Sequence, residues 1–81
     1  MINRDILRCR LEAMSADDIR QALGQLGVSA RDASVMVARY CSGCSWEQIG
    51  DRLGISSATV RKIDQKILRK WARDLGKREE V

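Results

Sequence analysis

The sequence predicts an all-α fold, a small bundle of about five helices that contains a helix-turn-helix. Three observations support this. Apolar residues recur at spacings of three and four, and no stretch alternates apolar and polar residues as a half-buried strand does. Proline is absent, and the six glycines fall almost entirely at candidate helix ends. Serines stand just ahead of the periodic segments, where a hydroxyl can accept a hydrogen bond from a free N–H of the first turn.

Residues 3–14 predict a first helix, with Asn3 as its cap and Leu7, Leu11 and Met14 on one stripe. Ser15 and the acidic pair Asp17–Asp18 open a second helix that runs to about Leu26. Its apolar face is Ile19, Ala22, Leu23 and Leu26, and Gly27 ends it. Ser29 and Asp32 repeat the start signal for a third helix to about Cys41, burying Ala33, Val37, Met36 and Tyr40 before Ser42-Gly43 stops it. Ser45 caps a short fourth helix through Leu53, and Ser56 caps a fifth through about Leu75. The tail from Gly76 has little to bury and is expected to fray. Repeats, low-complexity segments and linkers are absent, so residues 1–81 read as one domain: N-terminal helices over 1–27, a core over 28–75, and the tail.

The stretch from Ser45 to Arg73 is the most informative. Ile49, Leu53, Ile55, Val60 and Ile63 have the spacing that two crossed helices need. Gly54 falls where the chain must turn sharply and φ > 0 costs glycine little. Gly50 lies one turn earlier, on the face that the next helix would cross closely. Arg61, Lys62, Lys66, Arg69, Lys70 and Arg73 then load one helix with positive charge. A plain helical hairpin would share the two amphipathic helices. It does not require the turn glycine, the small residue before it and the basic load after it to coincide. A helix-turn-helix, whose second helix enters the major groove of DNA, requires all three.

Charge placement agrees. Residues 1–27 carry four basic and four acidic side chains and residues 28–50 two of each, whereas residues 51–81 carry nine and five, which accounts for the whole net charge of +4. Such an excess on one helix is a footprint for phosphates. Catalysis is not expected: there is no histidine, no nucleophile beside a base, no metal-ligand set and no phosphate-cradling loop. No cofactor is expected either. Three cysteines, Cys9, Cys41 and Cys44, with no secretory signal or membrane-length apolar run, point to a reducing cytoplasm. Cys41 and Cys44 form a C-x-x-C, but structural zinc needs four ligands and a redox pair a βαβ setting, so Cys44 reads as a small packing residue.

With those residues in view, the chain resembles region four of bacterial sigma factors, which reads the upstream promoter element. The resemblance runs from about Val28 to Trp71 and is sharpest in VRKIDQKILRKW, where Arg61, Ile63, Asp64, Lys66, Leu68, Arg69 and Lys70 follow the pattern of primary sigma factors. LuxR-type regulators share the general motif but match this segment less well. Primary sigma factors place an arginine and a glutamate early in the recognition helix, where this chain has Ser57 and Ala58. The bidentate Arg–guanine contact, worth about 1–3 kcal/mol of discrimination, is therefore missing, and the usual promoter element is not implied as the target. Residues 1–27 do not resemble the promoter-melting region, so a stand-alone regulator of bacterial, phage or mobile-element type is expected rather than a complete sigma factor.

The candidate DNA contacts follow from helix geometry. Ser56, Ser57, Ala58 and Thr59 lie at the groove-entering end of the fifth helix, Arg61, Lys62 and Gln65 are candidates for base edges, and Lys66, Arg69 and Arg73 for phosphates. Ser45, Trp46 and Gln48 open the preceding helix and face the groove rim, although Trp46 and Trp71 each adjoin an apolar face and read first as packing residues. One such helix neutralises on the order of five phosphates, too few for tight specific binding. Ile6, Leu7, Ile19, Leu23 and Leu26 are therefore expected to offer a homodimer surface, with docking on RNA polymerase or completion of the small core as the other roles for residues 1–27. The competing function is a protein-interaction module that binds RNA polymerase or a sigma factor without reading DNA.

Overall fold

A computed structural model describes residues 4–79, with side chains for residues 5–76. Five helices follow one another: α1 (Arg4–Ala13), α2 (Ala16–Gln25), α3 (Ala30–Tyr40), α4 (Trp46–Leu53) and α5 (Ser57–Glu79). No strand occurs among the described residues. The Asn3 cap lies outside them.

The serine caps form where their local chemistry puts them. Ser15 Oγ accepts from the Asp18 amide at 3.1 Å and Ser29 Oγ from that of Asp32 at 3.2 Å. Ser45 and Gln48 close a reciprocal capping box on α4, and Ser56 Oγ accepts from the Thr59 amide at 3.1 Å at the head of α5. Gly27, Gly43 and Gly54 take positive φ in the turns after α2, α3 and α4. Gly76 does not, so nothing stops the last helix there: α5 continues through residues 76–79 instead of fraying from Gly76. Residues 80 and 81 lie outside the described residues.

Two apolar clusters hold the bundle. The larger joins Leu7 and Leu11 of α1, Ile19 and Leu23 of α2, Ala33, Met36 and Val37 of α3, and Ile67, Leu68 and Trp71 of α5. The smaller joins Val35, Ile49 and Val60, flanked by Trp46, Leu53 and Ile55, and forms the core of the helix-turn-helix. Helix α3 lies between them and buries two faces. For that reason Val35, which is off the stripe expected from sequence, is 1 % exposed. Ile63 packs against both clusters.

The N-terminal helices are thus part of the main core. Leu7, Ile19 and Leu23 are completely buried within this chain and Leu26 packs against the same cluster, so the apolar surface expected to join two copies is already covered. Of that set only Ile6 remains open, at 45 %. The described part of this segment, residues 5–27, contributes to the main core.

Candidate nucleic-acid interface

The turn between α4 and α5 is built around Gly50. Its carbonyl accepts the amide of Gly54, which sits at φ 70° and ψ 31°, and the amide of Ile55 at 3.0 Å. The Gly50 Cα faces the start of α5 so closely that a Cβ there would lie 2.6 Å from the Ile55 carbonyl oxygen and 3.3 Å from the Ser57 nitrogen. A side chain at position 50 would push α5 away from α4.

From this start α5 runs 23 residues, about 34 Å at 1.5 Å per residue. Its buried stripe is Val60, Asp64, Ile67, Leu68 and Trp71. At 100° per residue, the opposite stripe is Ala58, Lys62, Gln65, Lys66, Arg69 and Arg73, all exposed. Ala58 through Lys66 span about 12 Å of helix axis, comparable with the width of a major groove, and Arg69 and Arg73 continue the same face beyond it. Arg61 is also exposed but sits on the flank of this stripe, turned toward α1 and α3.

The other candidates from sequence fall into a different environment. Ser45 and Gln48 hold each other, through Gln48 N–H to Ser45 Oγ at 3.1 Å and Ser45 N–H to Gln48 Oε1 at 2.9 Å. Ser56 and Thr59 share a hydroxyl hydrogen bond of 2.9 Å. Ser57 is half-buried against the turn. Trp46 is half-buried, packs against the smaller cluster and lies under the Arg39 guanidinium, 4.3 Å from the ring centroid. Trp71 belongs to the main core. Cys9, Cys41 and Cys44 are free thiols, Cys44 packs beside the smaller cluster, and no group of three metal-ligating side chains forms among the described residues.

Sequence reasoning missed a polar network beside this face. Asp64 is 1 % exposed, on a position that helical spacing assigns to the core. Tyr40 donates its hydroxyl to Asp64 Oδ1 at 2.7 Å, joining α3 to α5. The neighbouring Tyr40 hydroxyl pushes the Arg8 guanidinium of α1 up from its ordinary value, and Arg8 pairs with Asp5 at 3.3 Å. Burial, followed by the bond to Asp64, pushes the Tyr40 phenol up to about 12. The available signal was a carboxylate at a core register position, which requires a buried partner.

No helix among the described residues is long and apolar enough to cross a membrane. Compared with known protein families, the chain matches the family model described as sigma-70, region 4, over residues 22–70, more than half of its length. The match begins within α2, six residues before Val28, and ends within α5. Comparison with curated proteins and with solved structures returned no match.

Proposed function

The chain belongs to the sigma-70 region 4 family, a DNA-binding helix-turn-helix family of transcription, and from that premise we propose that it is a sequence-specific regulator reading double-stranded DNA with α5. The supporting observation is the division of α5 into two faces. Every buried position but Asp64 is apolar, while the exposed stripe from Lys62 to Arg73 carries Lys62, Gln65, Lys66, Arg69 and Arg73.

In this reading Lys62 and Gln65 meet base edges, with Arg61 entering from the flank. Lys66, Arg69 and Arg73 hold phosphates and set register without reading sequence. Ala58 leaves room for close approach or offers a methyl contact to thymine. Ser45 and Ser56 act through the helix ends they cap, where backbone N–H groups favour an anion. With Ser57 half-buried and no arginine at that position, the operator differs from the usual upstream promoter element.

A labelled duplex selected from a random pool, titrated across a salt series, tests the proposal. Preference for selected over scrambled sequence, lost in an Arg61→Ala, Lys62→Ala double variant with unchanged circular dichroism, is the expected result. Equal affinity of the double variant and wild type for the selected duplex would overturn it. If RNA polymerase binds while no duplex does, the protein-interaction reading takes its place.

A further inference from the structure

Between α1, α3 and the first half of α5 lies an open cleft of about 540 Å³, whose lining includes Arg8, Glu12, Arg39, Trp46, Arg61 and Gln65. Arg8 and Glu12 are one turn apart on α1, and Arg61 and Gln65 one turn apart on α5, so each helix gives the cleft one wall. We propose that this cleft receives a backbone phosphate of the bound duplex and that Arg8, on a helix outside the matched region, is a direct contact to it. The inference rests on the reading of α5 as the DNA-facing helix.

The cleft is continuous with that face, since Arg61 and Gln65 belong to both. Three guanidinium groups reach it from three different helices, and each has a fork that matches phosphate oxygens. Two are pre-positioned. Arg39 lies on Trp46 and donates Nη1–H to the Cys44 carbonyl at 3.1 Å. Arg8 pairs with Asp5 at 3.3 Å, with its side chain still 41 % exposed. Against these stand two carboxylates. Asp64 is buried and takes the Tyr40 hydroxyl, while Glu12 lies exposed at the rim. The Trp46 face covered by Arg39 is not free to stack a base, which favours a phosphodiester over a nucleoside.

A phosphate contact has a signature that a purely structural arginine lacks. Each phosphate neutralised contributes about 0.9 to the slope of log affinity against log salt, equally for all sequences. Arg8→Ala should therefore lower that slope by about one. It should weaken selected and scrambled duplexes by the same factor, and Arg8→Lys should restore the slope. Glu12→Lys, at an exposed position one turn along the same face, should tighten both duplexes and steepen the slope, independently of any effect of Arg8→Ala on folding. Unchanged slopes in both the Arg8→Ala and Glu12→Lys proteins, with a lowered melting temperature in the former, would make Arg8 only a latch on Tyr40 and overturn the inference. In that case wild-type binding still stands. If the wild-type protein binds no duplex at any salt concentration, the proposed function falls and this inference falls with it.

Discussion

Gly50→Ala tests the helix crossing on which the reading element depends, and its two effects oppose each other. Within a helix, alanine is favoured over glycine by about 1 kcal/mol. Here the new Cβ would lie 2.6 Å from the Ile55 carbonyl oxygen, a backbone atom in the turn, with the Ser57 nitrogen at 3.3 Å behind it. Neither atom can move without shifting the start of α5. Overpacking of this kind costs about 1–3 kcal/mol. The two turn amides that donate to the Gly50 carbonyl lose geometry as well, at about 0.5–1.5 kcal/mol for each bond lost. The clash wins: taken together, these terms leave a net loss of at least about 1 kcal/mol. In a domain of this size that lowers Tm on the order of 10 °C. Gly24→Ala is the internal control: position 24 lies in α2 with nothing within 4 Å of a new Cβ, so the propensity gain stands alone and stability should rise. Thermal melts followed by circular dichroism measure both variants. A Gly50→Ala protein as stable as wild type, beside a stabilised Gly24→Ala, would refute the close crossing.

Gly54→Val places a β-branched side chain at φ 70° and should cost about 1–3 kcal/mol; a melt unchanged from wild type would show the turn to be drawn wrongly. The Tyr40 phenol titrates at 10.0 when free and at about 12 in the folded chain, so the unfolded chain loses that proton first. Its share of stability is complete below pH 10 and declines as the pH rises toward 12. Alkaline melts of wild type should therefore fall more steeply than those of Tyr40→Phe; parallel curves would remove the half-buried phenol from the account. A chain starting at Val28 lacks the Leu7, Leu11, Ile19 and Leu23 side chains that cover Met36, Leu68 and Trp71, so it should show no cooperative melt. A transition within a few degrees of the full chain would mean that residues 28–81 fold without the N-terminal helices.

The features legible in the sequence are those whose cause is local. A serine three residues ahead of a free amide caps a helix whatever surrounds it, and Ser15, Ser29, Ser45 and Ser56 all do so. The Gly54 turn and its close partner Gly50 were readable for the same reason, since a left-handed residue and a missing Cβ depend on the chain within a few residues. Helix ends were less legible where the stop signal was compositional. The tail from Gly76 is expected to fray because it has little to bury, yet α5 passes through Gly76, which does not take a left-handed φ, to Glu79.

What was not legible depends on contacts between distant segments. A stripe such as Leu7–Leu11 or Ile19–Leu23 states that a face is buried but not against what, and the same pattern fits a dimer interface and an intramolecular core equally well. The fold resolves it through α3, whose two buried faces give the N-terminal helices and the helix-turn-helix a common wall. The Asp64 position carries the same ambiguity in polar form. Its acidic character follows the family pattern, yet its role here comes from Tyr40, 24 residues earlier, and from Arg8 beyond it. That network ties α1 to the helix proposed to read DNA. Arg8 also shares a cleft with Arg61, and it is as the proposed direct phosphate contact that a change in the first ten residues, at Arg8, is expected to alter binding by a helix that begins at Ser57.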